Sequence, residues 1–203
     1  MNRILLIRHC ATNAIGHRLS GRAPGVELNA TGRAQAMQLA DRLGGIPLDA
    51  IYTSPLERAR QTALPLARDR GLEALVLPQL QELDYGLWQG ARLEDLAGDP
   101  YWEVYNRSRG LYRIPGGETL AEAQIRMLQA VEWLRAEHAQ ATLALVSHCD
   151  PIRALLAHLL GMPLDFIDRL DVMPASISLV EFANGRPKVR CINTLGNLPC
   201  LRS

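Results

Sequence analysis

Twice in this sequence an apolar run with no polar interruption leads to a histidine. Ile4–Ile7 (ILLI) runs into Arg8-His9-Cys10, and Leu143–Val146 (LALV) runs into Ser147-His148-Cys149. A strand that is apolar at every position is buried on both faces, whereas a half-exposed strand alternates. Such strands belong in the middle of a parallel sheet, and parallel neighbours need long crossovers, usually helical. The rest of the chain supplies them. Asn29 or Thr31 caps a helix through Leu39 and Leu43 that Gly44-Gly45 stops. "AIYTS" (50–54) reads as a second strand. Pro55 then sits in the first turn of a helix running to Arg70, which Pro65 should kink or divide. "EALVLP" reads as a third strand. Thr119 and Glu122 have capping-box spacing, ahead of a helix whose apolar face includes Ile125, Leu128, Val131 and Leu134. Asp150-Pro151 starts another helix that Gly161 ends. "SISLVEF" and "KVRCINT" flank Asn184-Gly185, a hairpin signal. Residues 79–117 are rich in Trp, Tyr and Gly but weakly periodic. They read as a mostly irregular insertion over the site, with one or two short helices. The expectation is an α/β fold, a three-layer α/β/α arrangement with a mainly parallel central sheet and helices on both faces, in one domain over residues 1–203.

Composition bears on the chemistry. Lys plus Arg number 22 against 21 acidic residues, a net charge of +1. Attraction for anions must therefore be local, and nothing in the charge balance points to nucleic acid or a membrane surface. No apolar stretch reaches the length of a bilayer span, and the first residues do not make a secretory signal. Cys10, Cys149, Cys191 and Cys200 have neither zinc-ribbon nor redox-motif spacing, which points to a reduced, cytoplasmic protein.

Ligands of open α/β sheets bind beyond the carboxyl ends of the strands. That rule gathers Arg8 and His9 after the first strand, Arg58 or Arg60 after the second, and His148 after the strand before the last helix. Arginine forks and helix amino-termini both suit phosphate oxygens. A phosphate is the natural guest.

The same residues carry a family resemblance. The sequence resembles the histidine phosphatase superfamily, also called phosphoglycerate mutase-like. The family's opening Arg-His-Gly phrase is met by "RHCAT", its Ser-Pro-Leu-x-Arg-Ala-x-x-Thr by "SPLERARQT", and its glutamate segment by "LQELDYGLWQG". Its Gly-Glu-Ser/Thr phrase is met by "GGETL" and its late Ser-His-Gly-Gly-x-Ile-Arg by "SHCDPIR", in the family's order. The resemblance implies a phosphoglycerate mutase-like fold. It implies a metal-independent phosphatase that hydrolyses a small phosphorylated metabolite through a phosphohistidine, with no cofactor. His9 would be the nucleophile, with its other ring nitrogen held by a backbone carbonyl. Arg8, Arg58 and His148 would bind the phosphoryl oxygens. Glu82 would protonate the leaving group, which requires a raised pKa. Thr12, Cys149 and Arg22 are expected as further phosphate or substrate contacts. An α-ribazole phosphate, a phosphosugar and a phosphoglycerate derivative all suit as substrate. A phosphoglycerate-type mutase and a binding protein without turnover stand as alternatives. The short chain favours hydrolysis over the mutase, and a mere binder does not need Glu82.

The sequence also departs from the family. Cys10 and Ala11 replace a glycine and a polar residue, Ile15 stands where many members have Asn, and Cys149-Asp150 replace two glycines. Two His-Cys pairs suggest zinc, but adjacent residues of extended chain face opposite ways and do not converge on one ion. If the two histidines lie level on neighbouring strands, Cys10 and Cys149 do too, within reach of a disulfide. "SISLVEF" at a sheet edge would make a homodimer surface. Tyr101, Trp102 and Tyr105 read as a local aromatic core in preference to a stacking platform.

Overall fold

The computed structural model describes residues 1–196, so Cys200 lies outside the described residues. Strand β1 (Asn2–Arg8) leads through a long loop to helix α1 (Ala30–Leu43), then β2 (Ala50–Thr53), α2 (Glu57–Arg68) and β3 (Ala74–Val76). The irregular stretch that follows holds 3₁₀ turns at Pro78–Leu80 and Gly86–Trp88 and two short helices, α3 (Leu93–Leu96) and α4 (Pro100–Arg107). Then come α5 (Leu120–Glu137), β4 (Thr142–Ser147), α6 (Cys149–Leu159), β5 (Ile177–Ala183) and β6 (Arg186–Thr194). The strands form one sheet in the order β3-β2-β4-β1-β5-β6. The first four are mutually parallel, and β5 and β6 run antiparallel to their neighbours.

The two uninterrupted apolar runs occupy the centre of this sheet. Ile4, Leu6, Leu143 and Leu145 face Met127, Val131, Ile152 and Leu155 of α5 and α6. Leu5, Ile7, Ala144 and Val146 face Leu39, Leu43, Ala63 and Leu66 of α1 and α2. The fold is therefore α/β with helices on both faces, as the apolar runs require. Full burial of each large aliphatic side chain contributes about 1.5–3 kcal/mol.

Four expectations are corrected. β5 (within "SISLVEF") pairs with β1 on one side and β6 on the other, so it is no sheet edge. Helix α2 starts at Glu57, after Pro55, and continues undivided through Pro65. Proline there removes one backbone hydrogen bond, while Ala63, Leu66 and Ala67 remain buried against the sheet. In α5 the capping box of Thr119 and Glu122 forms, but the buried face is Ala123, Met127, Ala130, Val131 and Leu134. Ile125 is exposed. The Asn184-Gly185 turn forms as read, with both φ angles positive, as a two-residue hairpin demands.

Two features of the fold position the site. β1 and β4 pair with Arg8 opposite Ser147, so His9 and His148 follow at the same level. The loop after His9 rests on the start of α1. Asn29 caps that helix, accepting from the Gly32 N–H at 2.8 Å. A Cβ on Gly32 would lie 2.0 Å from the Ala11 carbonyl oxygen, so only glycine allows this approach. Among the described residues no helix is long and apolar enough to cross a membrane.

Candidate active site

His9 leaves β1 into a buried position where each ring nitrogen has one defined neighbour. Nδ1 lies 2.7 Å from the Cys10 carbonyl oxygen. A carbonyl only accepts, so Nδ1 carries the proton and Nε2 keeps its lone pair. Nε2 in turn accepts from Nε of Arg58 at 3.3 Å. Burial, and then the guanidiniums of Arg58 and Arg8, hold the His9 pKa well below its ordinary value, although the Cys10 carbonyl pulls the other way. The ring is neutral near pH 7.

Arg58, in the first turn of α2, is almost completely buried, whereas Arg60 is exposed. The choice that the sequence left open falls on Arg58. Its Nη2 donates to the Gly21 carbonyl at 2.8 Å, and its Nη1 has no partner. One turn on, Thr62 Oγ1 accepts from the Cys10 N–H at 3.0 Å and donates to the Arg58 carbonyl at 2.7 Å. That hydroxyl ties the backbone after His9 to the helix that carries Arg58. Arg8 donates from Nη1 to the Val172 carbonyl at 2.5 Å, and its Nε is buried without a partner.

His148, fully buried, lies behind His9 with ring centroids 5.1 Å apart and the ring planes tilted by 59°. Its Nε2 lies 2.8 Å from Ser54 Oγ, and its Nδ1 is buried without a partner. Ser54 Oγ already accepts from the Leu56 N–H, and donation of its own proton to Nε2 would leave the ring proton on Nδ1. Burial, then Arg58 and His9, keep this ring neutral too.

Glu82 is buried with its Oε1 accepting from the Leu83 N–H at 2.8 Å. Burial and then the charge of Asp150 push its pKa up to about 7, against the downward pull of the Leu83 N–H, Arg58 and Arg8. Asp150 itself stays ionised. Burial opposes that, but Arg109 and the Tyr85 hydroxyl outweigh it, at 2.6 Å and 2.5 Å from Oδ2. The negative charge that replaces a family glycine is thus held by a buried arginine.

Arg8, His9, Arg58, Glu82, Thr12 and Cys149 line one cavity of about 330 Å³. Arg22 is placed differently from the expectation. It does not line that cavity, and its guanidinium reaches the Glu82 carbonyl, Glu118 and Asp84. Sequence reasoning missed the cavity roles of Tyr85 and Arg153. It also drew no role for Ser54 and Thr62, although both stand inside "SPLERARQT". Trp102 lines the cavity while stacking on the buried Tyr105. Cys10 packs with Leu28, Ala36 and Ala175, whereas Cys149 packs against the α5/α6 layer with its thiol toward the Val172 carbonyl. Burial raises both thiols to about 11, and both are free, which fits two inert thiols better than a disulfide. Neither cysteine has a positive φ, so loss of the family glycines strains nothing here.

Known proteins resemble this chain in sequence and in fold. The sequence model of the histidine phosphatase superfamily (branch 1) matches residues 4–195. Phosphoserine phosphatase 1 of Hydrogenobacter thermophilus is 31% identical over 95% of this chain and 92% of its own. The solved mycobacterial glucosyl-3-phosphoglycerate phosphatase superposes with a TM-score of 0.86 at 28% identity, covering 95% of this chain and 98% of that one. A phosphoserine phosphatase variant of Entamoeba histolytica, in complex with phosphoserine, gives 0.86 at 27% identity, with 96% and 98% covered. Three mycobacterial relatives at 36% identity are longer, and the chain spans 55% of their length. Motifs that are scattered through the sequence meet around one cavity, and the match runs nearly end to end: the chain belongs to the histidine phosphatase superfamily.

Proposed function

We propose that this protein hydrolyses small phosphomonoesters, with Nε2 of His9 as the nucleophile. One observation carries the reading. A neutral, buried imidazole has its Nδ1 proton held by the Cys10 carbonyl, beside two arginines that each keep a buried N–H unpartnered. Buried guanidinium donors without a protein acceptor suit the oxygens of an anion. Nε2 attacks phosphorus in line with the ester oxygen, and the N–P bond forms as the P–O bond breaks. Glu82 gives its proton to the leaving alkoxide. Arg8, Arg58 and Nδ1–H of His148 hold the other oxygens, where charge spreads in the transition state. Glu82, now a carboxylate, takes a proton from water as the water oxygen attacks phosphorus. The N–P electron pair returns to Nε2, and phosphate leaves with Glu82 protonated again.

The relatives named above act on phosphoserine and glucosyl-3-phosphoglycerate, in which a carboxylate accompanies the phosphate. Arg18 and Arg153 line this cavity beyond the phosphate ligands, which supports an ester whose organic part carries a carboxylate. The test is phosphate release from phosphoserine, 3-phosphoglycerate, glycerol 3-phosphate and p-nitrophenyl phosphate, with EDTA and a reductant present. Release that disappears in His9→Ala, and a trapped enzyme with an acid-labile phosphoryl group on His9, are the expected results. Phosphate binding without turnover of any ester would overturn the reading in favour of a binding protein. Phosphoryl migration within phosphoglycerate without phosphate release would identify a mutase.

A further inference from the structure

Glu82 is the one group of the proposed mechanism that no strand end or helix start positions. It lies in irregular chain between the 3₁₀ turns at Pro78–Leu80 and Gly86–Trp88. Yet a general acid must meet the leaving oxygen within hydrogen-bond reach.

What holds this segment is a pair of arginines sharing one carboxylate. Arg126, on α5, donates from Nη1 to the carbonyls of Gln79 and Gln81 at 2.6 and 2.7 Å, and from Nη2 to the Glu82 carbonyl at 3.2 Å. The same guanidinium forks onto Glu118, Nε to Oε1 at 2.8 Å and Nη2 to Oε2 at 3.0 Å. Arg22, from the loop after His9, reaches the Glu82 carbonyl with Nε and Glu118 Oε2 with Nη2, both at 3.0 Å. The Glu82 carbonyl is therefore gripped from two sides, and Glu118 joins the two grips. Beyond the glutamate, the Glu118 N–H donates to the Asp84 carbonyl at 3.0 Å. Arg126 and Glu118 are largely buried and Arg22 is partly so, where charge-assisted forks are stronger than neutral bonds.

We infer that Arg126, Glu118 and Arg22 form a clamp that sets the position of Glu82, so that proton donation depends on three residues that do not act on the substrate themselves. The inference rests on the assignment of Glu82 as the acid. Arg22 is then a positioning residue, which accounts for its absence from the cavity wall. Its neighbour Gly21 accepts from Arg58, so the same loop orients a phosphate ligand and the acid.

The experiment uses leaving groups of different basicity. An alkoxide needs a proton as it leaves, whereas p-nitrophenolate leaves without one. In Arg126→Met, kcat/KM, which reports the transfer to His9 and not the later attack of water, is expected to fall about 10–100-fold on an alkyl phosphate, a part of the 10²–10⁴ that acid catalysis supplies, and less than about threefold on p-nitrophenyl phosphate. Glu118→Gln keeps the shape and should give the same pattern, which covers the case in which Arg126→Met fails to fold. Combined with Glu82→Gln, either change should add no further loss on the alkyl ester, because a positioner has nothing left to position. Equal losses on both esters, or additive losses in the double variants, overturn the clamp. If His9→Ala retains turnover, the phosphohistidine reading falls instead, and the clamp's catalytic role with it.

Discussion

The rings of His9 and His148 lie 5.1 Å apart, one residue beyond the paired ends of β1 and β4, and both are held neutral by burial and nearby arginines. Protonating either ring would put another cation beside Arg8 and Arg58.

That arrangement fixes the sign of the acid response. In the unfolded chain each ring titrates near its ordinary 6.5. Below that pH the unfolded chain takes up protons that the folded one refuses, so stability falls as pH falls, by about 1.4 kcal/mol per unit for each ring. Glu82 acts in the opposite sense. Its folded pKa of about 7 exceeds the ordinary 4.5, so between those values the folded state holds the extra proton and stability falls as pH rises. Thermal melting should therefore drop from pH 6.5 to 5 with a net slope of about one proton. In Glu82→Gln the slope should steepen toward two. An unchanged slope in that variant would contradict the raised pKa of Glu82.

Asp150 stands behind the raised pKa of Glu82, second only to burial. Asp150→Asn keeps the side-chain shape and removes the charge, so the pKa of Glu82 moves down. Since the acid form is the working form, the basic limb of kcat/KM should shift to lower pH. A basic limb that stays in place would show that the carboxylate is too far or too screened to matter. Asp150→Ala, which leaves the buried Arg109 with only the exposed Asp168 as an ion partner, should cost up to about 3–5 kcal/mol of stability in denaturant titration.

Ser54 Oγ lies 2.8 Å from Nε2 of His148. In Ser54→Ala, Nε2 competes for the ring proton that Nδ1 offers to the phosphoryl oxygens. A kcat loss of about tenfold is expected, less than the 10²–10³ for loss of a whole donor, with melting nearly unchanged. Nitrogen chemical shifts of the imidazole would report the tautomer directly, and an unaltered tautomer would rule out this role.

Gly32 is where α1 meets the loop that carries the nucleophile. Gly32→Ala forces a Cβ onto the Ala11 carbonyl, so the loop must shift. A stability loss of about 1–3 kcal/mol is expected, with a fall in kcat. The exposed neighbour, as Thr31→Ala, serves as the control. Equal effects at the two positions would mean that helix propensity, not contact, decides.

The apolar runs ending in His9 and His148 carried most of what the sequence made legible, because burial on both faces leaves few places for a strand. Motif order then brought Arg58 and Glu82 to the same cavity. What stayed hidden lies in side-chain direction within irregular chain. Arg22 looked like a substrate contact from its loop, but whether a loop arginine turns to the cavity or to Glu118 has no periodic signature. The Arg109–Asp150 pair joins residues 41 apart across two elements, so neither position advertises the other. "SISLVEF" was placed at an edge because the hairpin to β6 was visible while its pairing with β1, at the far end of the chain, was not.

That last pairing has a consequence for biogenesis. β1 lies between β4 and β5, whose residues begin at Thr142 and Ile177. During synthesis the ILLI segment leaves the ribosome long before either flank exists, a bare apolar strand with no partner for most of translation. Contacts this distant in sequence form late and slowly, and leave aggregation-prone surface open meanwhile. The surroundings of His9 are thus completed late although its segment is made early, because β1 needs both β4 and β5 beside it.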